Sequence, residues 1–168
     1  MSKWRGVIGL TVTVLGMAFM SLKGVNASEP ETTSVLKVSS GPNDAVGQTF
    51  SINDLRALDI QDIETTTIWT EGKHVFSGVS LYGLLKHVGA KGDDFQAIAL
   101  NDYAVTIPME DAHQGGPIVA FEIDGQLIPR REKGPLWIVY PFDASQKYQT
   151  EVIYSRSIWQ LNRLIINE

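Results

Sequence analysis

KGPLWIVYPFD, at residues 133–143, decides the fold expected for this chain of 168 residues. Gly134-Pro135 favours a turn, and the apolar and aromatic run at 136–140 favours a β-strand. Pro141 ends this strand because it has no N–H group for the hydrogen-bond ladder. Basic residues precede the strand and an acid, Asp143, follows it. Such a strand is either part of the core or one wall of a pocket for a flat polar ligand, and both interpretations stay open at this point.

The start of the chain has the features of a cleavable export signal. Lys3 and Arg5 give it a positive charge, residues 6–20 are almost free of polar groups, and Val25-Asn26-Ala27 places small residues where signal peptidase reads. The apolar run is shorter than the roughly 20 residues that span a membrane, which favours a cleaved signal over a retained anchor. We therefore expect an exported protein without a membrane span after cleavage, organised as a signal peptide at 1–27, a flexible tether at 28–34 and a single domain at 35–168.

Charge and composition exclude several classes of function. Three of the 14 basic residues lie in the signal, so 11 basic residues face 19 acidic ones after cleavage, a net charge of −8. A protein this acidic lacks the basic surface that nucleic acids require. The chain has no cysteine, so it has no disulfide framework, no thiolate metal ligand and no thiol nucleophile. The remaining residues, about 140, can still bury enough apolar surface to fold unaided.

Hydrophobic periodicity predicts an α+β domain with many short strands in mixed or antiparallel sheets and a few short helices. The clearest helix is 81–88, where leucines recur at helical spacing. Asp124-Gly125 predicts a hairpin. The β-branched stretch 63–70 predicts a strand, 143–151 a polar loop, and 158–161 part of a C-terminal strand.

Common catalytic, nucleotide and metal motifs do not occur in the sequence. The three histidines have no His-x-His or His-x-x-x-His spacing, which argues against a metal site. Neither a phosphate-binding loop nor a Gly-x-Gly-x-x-Gly fingerprint is present, and no Gly-x-Ser-x-Gly elbow supports a serine nucleophile. We therefore predict no catalytic residues and no metal.

Three polar and aromatic clusters remain as candidates for a binding site. They are NDY at 101–103, RREK at 130–133 with the two rings of the strand that follows, and YSRSIWQ at 154–160. Each has a purely structural alternative: a turn, a charged loop before a core strand, and a C-terminal strand with a core tryptophan, respectively. Together with Trp69 the clusters supply six large rings, which offer stacking faces and polar edges. Their charged groups could meet the polar edges of a planar heterocycle, with Asp102 or Asp143 accepting from an amino group.

Four motifs in order resemble a known family. They are F-x-G-V-x-L-x-x-L-L at 76–85, N-D-Y-x-V-x-I-P at 101–108, K-G-P-L-W-x-V-Y-P at 133–141 and S-x-W-x-L at 157–161. The chain resembles small exported proteins with a molybdopterin-binding oxidoreductase domain of the sulfite-oxidase type, over about residues 35–166. The resemblance implies mixed β-sheets in β-rich lobes around a pterin-sized cleft.

The absence of cysteine separates this chain from the enzymes of that superfamily, which hold molybdenum through a cysteine thiolate. A thiolate is a soft ligand that oxygen donors replace poorly, so the redox chemistry is not carried over. The chain is similar to a cysteine-free subgroup of periplasmic pterin-binding proteins. The subgroup acts beside an inner-membrane enzyme that makes or degrades cyclic-di-GMP. That resemblance implies a non-covalent pterin or molybdopterin-like ligand and, as partner, the periplasmic domain of an inner-membrane protein.

Three functional hypotheses follow. The first is a periplasmic, non-catalytic pterin-binding protein that relays ligand occupancy, with Trp137 or Trp159 stacking on the ring. The second is a molybdopterin-dependent oxidoreductase without the cysteine ligand, and the third is a ligand-free interaction domain. The candidate ligand-binding residues are Trp69, Asn101, Asp102, Tyr103, Arg131, Lys133, Trp137, Tyr140, Ser155, Arg156, Ser157 and Trp159.

Overall fold

The computed structural model describes residues 33–41 and 47–167, which form two five-stranded β-sheets. The predicted signal peptide and most of the predicted tether lie outside the described residues. The first sheet has the spatial order β2-β1-β10-β5-β6, in which β1 and β10 are parallel and the other pairs are antiparallel. Its strands are β1 (Ser34–Ser40), β2 (Gly47–Ser51), β5 (Asp94–Ala99), β6 (Ala104–Pro108) and β10 (Leu161–Asn167).

The second sheet is antiparallel and is centred on one long-range pairing. Its strands are β3 (Ile60–Thr66), β4 (Lys73–Ser80), β7 (Ile118–Ile123), β8 (Gln126–Leu127) and β9 (Trp137–Val139). The order is β3-β4-β7, and two short strands share the far edge of β7, with β9 on its first half and β8 on its second. The backbones of β4 and β7 approach so closely at Gly78 that a side-chain carbon there would overlap the Val119 carbonyl oxygen.

Within the part of the chain that the structure describes, three short α-helices connect the strands: α1 (Ile52–Arg56), α2 (Leu81–His87) and α3 (Glu151–Arg156). Side chains at the residue before each helix, Ser51, Ser80 and Thr150, accept hydrogen bonds from first-turn N–H groups. The predicted α+β class with mixed sheets and a few short helices is confirmed. Within residues 33–41 and 47–167, no helix is long and apolar enough to cross a membrane.

Two local predictions were wrong, and both errors lie beside the site described below. The strand predicted at 63–70 ends at Thr66, because its N–H and hydroxyl groups both donate to the Asp143 carboxylate (2.9 and 2.7 Å), and a turn follows. The stretch 158–161 is not a strand before Leu161; it follows α3, which was not predicted. The β-branched and aromatic residues there favour a strand locally, but the helix cap at Thr150 and tertiary packing decide otherwise.

Candidate ligand-binding cleft

A cleft of about 300 Å3 opens where connections from both sheets meet. One side comes from the end of β5 and the turn into β6, another from the β3–β4 connection, and the third from the end of α3 and the chain leading to β10. The described residues that line it are Trp69, Ala99, Asn101, Tyr103, Tyr154, Ser155, Ser157, Ile158, Trp159 and Gln160.

The segment 154–160, here called the long wall, supplies six of these ten residues. Its backbone is fixed by hydrogen bonds to β9 and to the loop before it. The N–H of Gln160 donates to the Lys133 carbonyl, and the N–H of Ile138 donates to the Ile158 carbonyl, both at 2.9 Å. The long wall begins as the last turn of α3 and continues from Ser157 to Gln160 as an irregular segment held by β9, so consecutive residues can line one cleft.

Trp137 supports the long wall from behind. Its side chain is fully buried, and its indole N–H donates to the Ser157 carbonyl at 3.1 Å. The expectation that Trp137 stacks on a ligand is therefore corrected, since the ring has no exposed face. Tyr140 is also a core residue, 1% exposed, and its hydroxyl donates to Asp111.

Aromatic rings form most of the cleft surface. The Trp69 ring meets the rings of Trp159 and Tyr154 edge to face, with centroids 5.6 and 5.8 Å apart. Trp159 and Tyr103 remain 39% and 55% exposed, so neither residue is sealed in the interior. Partly exposed aromatic side chains that line a cleft suit a planar ligand that stacks.

The polar groups of the cleft are uncharged: no ionisable acid or base is among the described residues that line it, apart from the two tyrosines. The Asn101 carboxamide oxygen accepts from the Tyr103 N–H at 3.2 Å, which leaves its NH2 group available. The Ser155 hydroxyl donates to the Val152 carbonyl at 2.7 Å, so its oxygen is left as an acceptor. A neutral, hydrogen-bonding ligand matches this set.

Gln160, the last residue of the long wall, is held in place through both its backbone and its side chain. Its side-chain NH2 group donates to the carbonyls of Arg130 and Glu132, at 3.0 and 3.1 Å. Its backbone has a φ of 52°, in the left-handed region that non-glycine residues rarely adopt. The three hydrogen bonds to the 130–133 loop, one of them from its backbone N–H to Lys133, hold Gln160 in that conformation.

Six of the twelve predicted site residues line the cleft, and six do not. Those on the cleft are Trp69, Asn101, Tyr103, Ser155, Ser157 and Trp159, for which ligand binding stays a prediction. Trp137 and Tyr140 are in the core. The four charged candidates lie outside the lining and are Asp102, Arg131, Lys133 and Arg156.

These charged residues have other environments in the described structure. Asp102 accepts from Arg163 at 2.6 Å, and Arg131 is exposed on the loop before β9. The ammonium group of Lys133 lies 5.7 Å from the centre of the Trp137 ring. Asp143, considered as an acceptor for a ligand, instead binds Thr66, whose hydroxyl and N–H hydrogen bonds lower the pKa of this carboxyl group. These charged side chains are therefore not placed to bind a ligand in the cleft.

Four cleft residues were absent from the candidate set: Ala99, Tyr154, Ile158 and Gln160. Tyr154 was counted among the large rings without being assigned to the site. A strand at 158–161 would have sent Ile158 and Gln160 to the face opposite Trp159. No local pattern indicates that this stretch is irregular, because its conformation follows from α3 and from the hydrogen bonds to β9.

Comparison with known proteins gives one kind of match. No protein-family model matches the chain, and no curated protein sequence does. Among solved structures, the chain is similar to the sulfane dehydrogenase SoxCD from Paracoccus pantotrophus, with a TM-score of 0.56 and 19% sequence identity. The likeness covers 79% of this chain and 37% of that one, so the chain spans well under half of its structural neighbour. The predicted sulfite-oxidase-type α+β fold is confirmed, and identity this low shows the fold alone.

Proposed function

We propose that the cleft binds a pterin, oxidised or reduced, without covalent attachment, and that the protein is a binding module. The observation that carries the proposal is the cleft itself, about 300 Å3 walled by four aromatic rings and edged by uncharged amide and hydroxyl groups. Its volume is at the lower end for small-molecule sites, which span about 300–1,000 Å3. A bicyclic heterocycle suits that size. The sulfite-oxidase-type fold that this chain shares with its structural neighbour supports a ligand of the molybdopterin class.

The exposed face of Trp159 is the stacking surface in this proposal. The rings of Trp69 and Trp159 pack in a T-shaped contact, which limits the rotation of the Trp159 ring. The Asn101 NH2 group and the Ser155 oxygen then supply a donor and an acceptor for the pyrimidine edge of the pterin. Stacking on a held ring with a few placed polar groups is the usual composition of such sites.

The donor set does not fit a thiolate-bound molybdenum. The chain contains no cysteine, and the described residues hold no group of three or more histidine, aspartate or glutamate side chains that could bind a metal. We therefore derive no step through molybdenum. Elemental analysis of protein from a molybdate-fed host separates the two cases, because stoichiometric molybdenum would favour the oxidoreductase hypothesis instead.

We further propose that the protein is exported to the periplasm and relays pterin occupancy to the periplasmic domain of an inner-membrane cyclic-di-GMP enzyme. Tyr103 and Trp159 support this role, because both are on the cleft and both are substantially exposed. A partner touching these rings would experience a different surface when the cleft is filled. Recovery of a chain beginning at Ser28 from the periplasmic fraction, by mass spectrometry, tests the export step.

A pterin titration tests the binding proposal. Residues 28–168 are purified and titrated with neopterin, and saturable quenching of tryptophan fluorescence is the expected result. Replacing Trp159 by alanine should weaken binding by about 1–3 kcal/mol, the range measured for base stacking on aromatic side chains. Calorimetry measures this loss, since the substitution also removes a fluorophore.

The matched control is Tyr82→Ala, which removes a partly buried ring on α2 that does not line the cleft. This variant should bind neopterin as tightly as the wild type. Absence of quenching in the wild type up to high micromolar neopterin, or equal affinity in Trp159→Ala, would contradict the proposal.

A further inference from the structure

Arg156 is the one residue of the long wall, among the described residues, that does not line the cleft. Its neighbours on both sides do, from Tyr154 and Ser155 before it to Ser157 after it. The Arg156 guanidinium instead lies 2.9 Å from a carboxylate oxygen of Asp111. The ion pair of Arg156 therefore holds the long wall near its middle without lining the cleft.

Asp111 does not line the cleft, but β6 connects it to the turn that lines the opposite side. It ends the 3₁₀ turn at 109–111, which follows β6 directly, and β6 begins directly after Tyr103 on the cleft. The ion pair thus connects the long wall to the far end of the strand that follows the opposite wall. The carboxylate oxygen that meets Arg156 also accepts from the buried Tyr140 hydroxyl at 2.7 Å, which fixes its position.

The environment of this pair makes it a firm connection. The Arg156 and Asp111 side chains are 21% and 13% exposed, so solvent screens them less than a surface pair. Hydrogen bonds that join charged groups are about twice as strong as neutral ones. The shared oxygen also binds Tyr140, the residue directly after β9, so α3, the turn after β6 and the chain after β9 meet at one carboxylate.

We propose that Arg156 and Asp111 are positioning residues that set the separation of the two cleft walls and so the affinity for the ligand. The inference rests on the proposed pterin-binding function. Neither side chain touches the cleft; they act through Tyr154 and Ser155 on one wall and through β6 and Tyr103 on the other. A binding surface held this way loses affinity when its supporting contacts loosen by a fraction of an ångström to an ångström.

The test uses Asp111→Asn and Arg156→Gln in the 28–168 protein, with two readouts. Calorimetry with neopterin should show binding about tenfold weaker in each variant. The double variant should be no weaker than the weaker single one, because both substitutions remove the same bridge. Acrylamide should quench the tryptophans of the ligand-free variants more strongly, since a wider cleft exposes Trp69 and Trp159. Arg156→Lys, which keeps the charge, is the second variant if the glutamine variant does not fold, and it should lose affinity by a smaller factor.

The matched control is Glu122→Gln. Glu122 pairs with Arg56 at 2.6 Å and joins β7 to α1, neither of which carries a described cleft residue. This variant should unfold at a lower temperature and keep wild-type neopterin affinity and quenching, which separates positioning from general stability.

Two outcomes would overturn the inference. The first is wild-type binding of neopterin together with affinities within about twofold of it in Asp111→Asn and Arg156→Gln. The second concerns a wild type that does not bind neopterin. The proposed function then fails, and acrylamide quenching of the ligand-free variants decides the positioning role. Quenching equal to the wild type would then refute the positioning role, and raised quenching would support it.

Discussion

Trp137 and Trp159 are partners in an antiparallel bridge, yet their side chains have opposite environments. The Trp137 ring is fully buried, with its N–H bonded to the Ser157 carbonyl, whereas the Trp159 ring is 39% exposed on the cleft. One indole is therefore the support of the long wall and the other is part of its surface. Residues paired in an antiparallel bridge project to the same face, so the difference comes from what surrounds each ring: Trp137 lies on a strand between β7 and the long wall, whereas Trp159 lies on the cleft.

Replacement of these two residues by phenylalanine should separate the two roles. Trp137→Phe removes the donor to a buried carbonyl and should lower the free energy of unfolding by about 1–3 kcal/mol, before any cost of lost volume. Trp159→Phe changes a half-exposed ring and should cost about 0.5 kcal/mol or less. Urea unfolding of the two variants measures both values. Equal losses in the two variants would contradict the assignment of Trp137 to the core and Trp159 to the cleft.

At the scale of elements, a histidine–aspartate pair joins two hairpins of the second sheet. His74, at the start of β4, has one ring nitrogen 2.7 Å from an Asp124 carboxylate oxygen and the other 2.8 Å from the Glu71 carbonyl. Asp124, in the β7–β8 turn, also accepts from the Val75 N–H at 3.0 Å. Both nitrogens of His74 face oxygen acceptors, so the doubly protonated imidazolium fits this place best.

The pair predicts a pH dependence of stability. The Asp124 hydrogen bond raises the pKa of His74 above its ordinary 6.5, and the same bond lowers the pKa of Asp124 below its ordinary 3.8. A raised histidine pKa stabilises the fold fully below pH 6.5 and loses that contribution as pH rises through the raised value. A lowered aspartate pKa contributes above pH 3.8 and is lost as pH falls through the lowered value. The pair therefore stabilises most between these limits.

Thermal unfolding of the wild type and His74→Gln at pH 5.5 and pH 8.5 checks this prediction. The gap in Tm between them should be larger at pH 5.5, because His74 carries its charge there. Asp124→Asn, which removes the anionic partner, should show a smaller change with pH than the wild type. A gap that is the same at both pH values, or larger at pH 8.5, would show that the pair does not act through the charge of His74.

At the scale of the whole molecule, the cleft is a joint product of the two sheets. The first sheet contributes Ala99 and the turn into β6, and the second contributes the β3–β4 connection with Trp69. The long wall runs between them, bonded to β9 of the second sheet and leading into β10 of the first. A ligand in the cleft would therefore contact parts of both sheets at once.

Binding at such a place should raise the stability of the whole domain. Neopterin at about 100 times its dissociation constant should add about 2.7 kcal/mol to the free energy of unfolding, because it binds the folded state alone. Thermal unfolding with and without neopterin measures the shift. Trp159→Ala at the same neopterin concentration should show a much smaller rise. A wild-type Tm that neopterin leaves unchanged would argue against binding in the folded cleft.

Local patterns were sufficient where a single element decides the outcome. The leucine spacing of 81–88 predicted α2, which spans Leu81–His87, and Asp124-Gly125 predicted the β7–β8 hairpin. They failed where a distant group intervenes. Thr66 ends β3 because Asp143 takes its N–H and hydroxyl hydrogen bonds across 77 positions of the sequence, and no nearby residue signals that end.

By itself the sequence determined the α+β class, the position of the strand at 137–139, and the aromatic residues from which a cleft could be built, because turn residues, strand preference and periodicity are local properties. The tertiary structure alone decided which aromatic residues form the cleft surface and which support it. Trp137 became the support because β9 lies between β7 and the long wall, where both of its sides are covered. Burial depends on what packs against a residue from elsewhere in the chain, and that information is not carried by the residue's neighbours in sequence.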